Sequence, residues 1–333
     1  MNAVLQISPE VTKGVSVVVP VYNEEENVAA CYTELTGVLQ TMGLPYEIIF
    51  VDDGSKDRTV QILRDTASAD PHVKVIEFRR NFGQTQAMSA GFEYSRYDVV
   101  VPIDGDLQND PAEIPMMVAK LDEGYDVVAG WRKDRQDTFW NRKLPSMIAN
   151  WLISKVTKVS LHDYGCSLKV LRGDIARGLR LYGEMHRFIP ALAFEMGARV
   201  TEVPVNHRAR QFGRTKYGIS RTFRVILDLL TVKFLLSYST RPIQVFGRFG
   251  LVFGGLALAV LAALGLDRLT GPWGGSEYLV KRPFWVITPL MFLGFALQFL
   301  IMGLLAELMT RTYHESQDKP IYTVREIVTS ETA

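Results

Sequence analysis

Blocks of apolar residues alternate with helical patterns over roughly the first 130 of the chain's 333 residues. Val15 to Val19 is a continuous β-branched run closed by Pro20, the pattern of a strand buried on both faces. From Glu25 to Met42 apolar positions recur with helical period behind acidic residues, which predicts a helix with acids in its first turn. Tyr46 to Val51 reads as a second strand and Asp57 to Ala67 as a second helix. Val73 to Phe78, Gln84 to Ser95, Asp98 to Ile103, Ala112 to Glu123 and Asp126 to Ala129 continue the alternation. Strands linked by helices of this length predict an α/β domain with a mostly parallel, Rossmann-like sheet covered on both faces. In such sheets ligands bind beyond the carboxyl ends of the strands.

The pattern then changes. From Trp131 to Tyr217 it loosens and basic residues become dense, which reads as the second half of the same domain closing over its site. Ile219 to Ser239 mixes apolar residues with Arg221, Arg224 and Lys233, as in an amphipathic helix lying on anionic headgroups, and Arg241-Pro242 breaks it. Phe249 to Leu266 is uncharged over 18 residues and Pro283 to Ala306 over 24, which predicts a transmembrane hairpin. The expected layout is a domain over 1–218, a juxtamembrane helix over 219–242, a membrane region over 243–310 with spans at 246–268 and 283–307, and a tail over 311–333. A short β-like run at Ile321 to Val324 has no evident place.

Charge and composition narrow the class. Lys and Arg number 37 against 36 Asp and Glu, without a basic run, so nucleic acid is not an expected partner. Cys31 and Cys166 are the only cysteines, implying neither a disulfide framework nor a zinc site. Met1 to Gly14 lacks a basic-then-apolar signal pattern. An even number of spans returns both ends to one side, and Arg241, Arg248, Arg311, Lys319 and Arg325 favour the inside. Arg268, Lys281 and Arg282 in the connecting loop make that asymmetry modest. The prediction is a multi-pass inner-membrane protein with its N-terminal domain in the cytoplasm.

Three predicted strand ends carry chemistry: Tyr22-Asn23-Glu24, Asp52-Asp53-Gly54-Ser55 and Asp104-Gly105-Asp106. Two carboxylates separated by a glycine at a rigid edge suit a hard divalent cation, Mg²⁺ or Mn²⁺, that also takes diphosphate oxygens. At Gly54 the backbone can approach a ligand closely, and an Asp in this turn can accept from a nucleobase N–H or a ribose hydroxyl. The competing reading of this segment is an Asx turn in which Asp57 caps the next helix. Glu24 reads either as a base or ribose contact or as a first-turn helix acid. His162, His186 and His207 have no metal-ligand spacing, and His186 reads as a packed or hydrogen-bonded side chain. Trp131, Trp140 and Trp151 read equally well as core or interfacial rings. No Gly-x-Gly-x-x-Gly signature is present, which excludes a dinucleotide-type dehydrogenase.

Val-Val-Val-Pro-Val-Tyr-Asn-Glu-Glu (17–25), Val-Asp-Asp-Gly-Ser (51–55), Arg-Asn-Phe-Gly-Gln (80–84) and Asp-Gly-Asp-Leu-Gln-Asn-Asp-Pro (104–111) together resemble the family 2 glycosyltransferases of GT-A fold. Asp-Glu-Gly-Tyr-Asp-Val-Val (122–128), Arg135-Gln136-Asp137, Asp-Tyr-Gly-Cys (163–166), Phe-Gly-Arg-Thr-Lys-Tyr (212–217) and Met-Gly-Leu-Leu-Ala-Glu (302–307) extend the similarity along nearly the whole chain. They point to bacterial polyprenyl-phosphate glycosyltransferases, including undecaprenyl-phosphate glucosyl- and 4-deoxy-4-formamido-arabinosyltransferases. The resemblance implies that Pro20, Tyr22, Glu24 and Asp52 line the nucleotide pocket, and that Asp104 and Asp106 hold the metal with help from Gln108. It implies an acceptor-phosphate site at Arg132, Arg142 and Ser146, and a mobile loop from which Arg210 and Lys216 reach the diphosphate. Asp106 and Asp163 are the candidates for proton assistance, Asp163 alternatively orienting the acceptor loop.

The implied reaction is an inverting, in-line transfer of one sugar from a nucleotide-sugar donor, with UDP favoured, to undecaprenyl phosphate in the membrane. A phosphate monoester is mostly ionised at neutral pH, its second pKa being about 6, so a strong general base is less necessary than for a hydroxyl acceptor. A homo-oligomer, with a tetramer favoured, follows from the resemblance alone. A processive polysaccharide synthase would carry a Gln-x-x-Arg-Trp motif and more spans, both absent from the sequence. A non-catalytic nucleotide-binding adaptor would not require Asp104, Asp106, Gln108, Arg132 and Lys216 to be intact.

Overall fold

The apolar runs of the N-terminal half form strands close to their predicted bounds in the computed structural model, which describes residues 12–133, 159–208 and 324–329 with isolated positions between. The chain divides into two compact units, 1–232 with 321–333, and 233–320. In the second unit the described positions, between Ile287 and Thr312, are helical. Among the described residues no helix is long and apolar enough to cross a membrane. The expected interfacial helix, and the two expected spans apart from those isolated positions, lie outside the described residues.

In the first unit the order is β1 (Thr12–Val21), α1 (Val28–Thr41), β2 (Tyr46–Asp52), α2 (Thr59–Ala69), β3 (Val73–Phe78), α3 (Gln84–Glu93), β4 (Tyr97–Pro102), α4 (Ile114–Asp122) and β5 (Val127–Trp131). There follow β6 (Lys169–Arg172), α5 (Gly173–Gly178), α6 (Ile189–Glu195), β7 (Val200–Pro204) and β8 (Val324–Val328). Among the described residues these strands make one sheet in the order β7-β5-β6-β4-β1-β2-β3-β8. β1 pairs in parallel with β2 and β4, β2 with β3, and β5 with β7. β6 is antiparallel to both β4 and β5. The chain winds outward from β1 in one direction through β2 and β3 and in the other through β4, so the carboxyl ends of β1 and β4 flank a topological switch point, where open α/β sheets form their crevice.

Two features depart from expectation. α1 begins at Val28, not Glu25, and has no acid in its first turn. The main-chain N–H groups of Asn23, Glu24 and Glu25 donate to Ser55 Oγ, Thr59 Oγ1 and Asp57 Oδ2 at 2.9, 2.9 and 3.3 Å, so this acidic segment is stitched to the β2–α2 turn instead of winding into the helix. The unplaced run Ile321 to Val324 meets a strand only at its last residue: β8, Val324–Val328, pairs antiparallel to β3 and opposes Glu326 to Glu77, while residues 321–323 lie outside the described residues. Arg64 of α2 pairs with both carboxylates, which lets like charges face each other across the strands.

Helix α3 lies unusually close to β1. A Cβ on Gly91 would fall 2.1 Å from Val18 Cγ1, so only glycine permits this approach. At its N-terminal end Thr85 Oγ1 is 2.7 Å from Nδ1 of His186, on the 3₁₀ turn Met185–Phe188. Burial first, then the nearby Arg187 and Lys169 charges, push the His186 pKa down to about 3. The ring is therefore neutral and structural.

Gly91→Ala is expected to lower stability by roughly 1–3 kcal/mol through overpacking, despite alanine's better helix propensity. An unchanged or raised melting temperature would show that α3 can lift off β1 without cost. His186 makes stability depend on pH. Its folded pKa lies below the unfolded value near 6.5, so the unfolded chain binds the extra proton, and stability is complete above that pH and lost on acidification. One such group contributes a slope of about 1.4 kcal/mol per pH unit. Melting curves between pH 7 and 5 should show this slope flattened in His186→Gln; identical slopes would contradict the assignment.

Candidate active site

The turn after β4 is built around a backbone that few residues tolerate. A Cβ on Gly105 would lie 2.9 Å from Val21 Cγ1, so the glycine lets the turn pack against the end of β1. Two residues later Leu107, buried, sits at φ +60°, a left-handed conformation costing a branched side chain about 1–2 kcal/mol. This kink places Asp104, Asp106 and Gln108 on one short segment. Asp104 Oδ1 accepts from Gln84 Nε2 at 2.7 Å, and Asp106 Oδ1 accepts from the Gln108 N–H at 3.2 Å. Burial, and next the Asp106 charge, push the Asp104 pKa up to about 6, against the opposing pull of the Ser167 hydroxyl, Lys169 and Arg132. Ser167 is held in turn by Asn109 Nδ2 at 2.8 Å.

Two carboxylates and an amide oxygen are hard donors. The set fits a divalent cation such as Mg²⁺ or Mn²⁺ that completes its shell with diphosphate oxygens and water. Among the described residues no group of three His, Cys, Asp or Glu gathers in a way that suits a metal, so a site of all-protein, zinc-like composition is not built there.

At the end of β2 the two adjacent acids point to different tasks. Asp53 accepts from the Phe82 and Gly83 N–H groups at 2.6 and 2.9 Å, latching the 79–83 loop. Gly54, at φ +72°, leaves room for that loop, since a Cβ there would lie 2.6 Å from the Arg80 carbonyl carbon. Asp52 is fully buried; its Oδ2 accepts from Gly54 and Ser55 N–H at 3.1 and 3.0 Å. Its Oδ1 is buried without a hydrogen-bond partner. Burial raises the pKa of both acids. An orphaned carboxylate oxygen at the mouth of the sheet is an acceptor awaiting a donor. Pro20 and Tyr22 are half-buried at the end of β1, and Glu24 accepts from Asn27 Nδ2 at 2.6 Å.

Beyond β5, Arg132 and Asp163 form a two-point pair, Nε to Oδ2 at 2.6 Å and Nη2 to Oδ1 at 2.9 Å, with both side chains largely buried. Burial works against the Arg132 charge, but Asp163 outweighs it and holds the guanidinium above its ordinary pKa. Trp131 stacks on His162 with ring centroids 4.3 Å apart, and His162 is held by Glu202 of β7 through its main-chain N–H at 2.8 Å and through its ring. Buried Lys169 donates to the Cys166 carbonyl.

The structure thus gathers Pro20, Tyr22, Glu24, Asp52, Asp104, Asp106 and Gln108 at neighbouring strand ends, with Arg132 and Asp163 beside them. Arg142, Ser146, Arg210, Lys216 and the 135–137 motif lie outside the described residues. Sequence reasoning assigned no role to Gln84, Ser167, Lys169, Asp53 or Arg208. Gln84 closes a motif already noted, and Ser167 directly follows another; those adjacencies were the available signal.

Residues 16–179 match the family described as glycosyl transferase family 2. The chain is 43% identical over 316 residues to the dodecaprenyl-phosphate galacturonate synthase of Rhizobium johnstonii, covering 94% of this chain and 92% of the relative. It is 37% identical to the undecaprenyl-phosphate 4-deoxy-4-formamido-L-arabinose transferase of Edwardsiella ictaluri, covering 94% of each. Its fold is shared by glucosyl-3-phosphoglycerate synthase from Mycobacterium tuberculosis, solved with Mn²⁺, UDP and phosphoglyceric acid, at a TM-score of 0.54 and 19% identity over 68% of this chain and 80% of that one. With two such relatives over almost its full length and the family match across the sheet that bears the acidic turn, this chain belongs to glycosyl transferase family 2, among its polyprenyl-phosphate sugar transferases.

Proposed function

We propose that the protein transfers one sugar from a UDP-linked donor to the phosphate of a membrane polyprenyl phosphate, with inversion at the anomeric carbon. The observation that carries this reading is the meeting of an acidic turn with a buried arginine. Asp104 lies where Arg132 and Lys169 bear on its charge, so one crevice has a place for a cation and a place for an anion. Asp104, Asp106 and Gln108 would hold Mg²⁺ or Mn²⁺, which when bound neutralises charge developing on the departing diphosphate. Asp52 Oδ1 accepts from the base N–H, and Pro20, Tyr22 and Glu24 line the nucleotide pocket. Arg210 and Lys216 reach the diphosphate.

Arg132 receives the acceptor phosphate, with Arg142 and Ser146. Its pair with Asp163 uses two of the five guanidinium N–H groups, and the others supply a fork suited to phosphate oxygens. Asp163 therefore acts through Arg132, as a positioning residue, and takes no proton in this scheme. A phosphate oxygen of the acceptor forms the new bond to the anomeric carbon while the bond to the diphosphate breaks, the electron pair leaving with UDP. The acceptor is already ionised, so the protein's work is to bring two anions together in line. The chain over 1–218 forms the catalytic domain in the cytoplasm. The 219–242 helix and the 246–268 and 283–307 spans hold it at the inner membrane as a homo-oligomer, with a tetramer favoured, and residues 311–333 form the tail.

The purified protein is expected to convert polyprenyl phosphate to a lipid-linked monosaccharide with Mg²⁺ or Mn²⁺, when supplied in turn with UDP-galacturonate, UDP-4-deoxy-4-formamido-L-arabinose and UDP-glucose. Polymer would indicate a processive synthase, and absence of any product with all three donors would count against the transfer. Asp106→Ala should lower turnover roughly a hundredfold or more without changing the circular dichroism spectrum; near-normal turnover would refute its role. Arg132→Lys keeps the charge against Asp163 but loses the fork. It should raise the KM for polyprenyl phosphate about tenfold while leaving the donor KM nearly unchanged, and equal effects on both would remove Arg132 from the acceptor site.

A further inference from the structure

The acidic turn is gripped from a direction that the reaction scheme leaves unexplained. Directly after β7, three consecutive residues close onto it. Asn206 donates through its main-chain N–H to Glu113 Oε1 and through Nδ2 to Asp110 Oδ2, both at 3.1 Å. His207 forms an isolated bridge with Asn109, and its Nδ1 lies 2.9 Å from the Gln108 carbonyl oxygen. A carbonyl only accepts, so the His207 proton sits on Nδ1. The Arg208 N–H donates to the same carbonyl at 2.8 Å. The Arg208 guanidinium then spans two elements, Nη1 to Glu34 Oε2 of α1 at 2.7 Å and Nη2 to Asp110 Oδ1 at 2.8 Å.

These contacts converge on the peptide beyond Leu107, whose left-handed backbone is strained. A strained residue persists only where its surroundings over-determine it. Here two donors fix the carbonyl of the next residue, and an arginine ties the far end of the turn to a packed helix. Were Leu107 to relax to negative φ, the peptides on either side would rotate, and Asp106 and Gln108, its immediate neighbours, would be re-aimed relative to Asp104.

We propose that Arg208, acting with His207, is a positioning residue that holds the Leu107 turn in its strained form so that Asp104, Asp106 and Gln108 converge on one cation. The inference rests on the cation role given to those three residues under the proposed function. Arg208 touches neither substrate nor cation in this scheme.

The test is Mn²⁺ binding, not turnover: the full-length protein in detergent with UDP, titrated with Mn²⁺ and followed by loss of the free-ion electron paramagnetic resonance signal. Arg208→Gln is expected to weaken Mn²⁺ binding about 10–100-fold, the range for residues that orient metal ligands. Arg208→Lys, one cation without a fork, should recover only part of this. Adding Leu107→Gly to Arg208→Gln removes the left-handed penalty and should restore some affinity, although it deletes a buried side chain and lowers the melting temperature. A merely structural role predicts the opposite, a further loss. Wild-type affinity in a less stable Arg208→Gln would overturn the inference while leaving the proposed function standing. No Mn²⁺ binding by the unmodified protein would overturn both. If Arg208→Gln does not fold, Glu34→Gln, which removes only the tie to α1, carries the same comparison.

Discussion

Burial of Asp104 on the same short turn as a second carboxylate, Asp106, is the constraint on which the candidate site depends, desolvation weighing more than the mutual repulsion. Two unit charges 4 Å apart at an effective dielectric of 20 interact by about 4 kcal/mol, a large fraction of a domain's net stability. The fold offsets that cost without cancelling it. Gln84 and Ser167 bond to Asp104, while Lys169 and Arg132 contribute positive charge from the flank. The turn that carries both acids is held in a backbone form it would not adopt alone.

The same economy runs through the neighbouring pairs. Asp52 and Asp53 are adjacent and both buried, yet Asp53 uses both oxygens on the 79–83 loop while Asp52 keeps one oxygen without a partner. Arg132 and Asp163 divide differently. Asp163 fixes the plane of the guanidinium through two parallel bonds.

How much of this could be read beforehand depended on how local the cause was. β1 to β5 were legible because each is an apolar run bounded by turn residues, and the acidic turn was legible because its motif is contiguous. β6 was not, since Lys169-Val-Leu-Arg172 is four residues long and opens on a lysine that looks exposed but is buried against the Cys166 carbonyl. β7 hid because it is a short edge strand with polar residues facing both ways. The start of α1 was misjudged because Glu24 to Glu26 look like a helical first turn, whereas Ser55, Asp57 and Thr59 compete for the N–H groups of residues 23–25. Gln84, Ser167 and Arg208 reach the acidic turn only through the folded chain, and no spacing rule connects residue 34 with 208 or 104 with 167.

The strand at Val324–Val328 gives the sheet an unusual history during synthesis. Its partner β3 ends at Phe78, and β8 begins at Val324. At 5–20 residues per second the ribosome takes roughly 10–50 s to cover that interval. Throughout it the outer edge of β3 offers unpaired N–H and C=O groups, a template for any other extended chain nearby. The β3 edge thus gains its final partner only near the end of translation, with the Arg64–Glu77 ion pair already available from the N-terminal part of the chain.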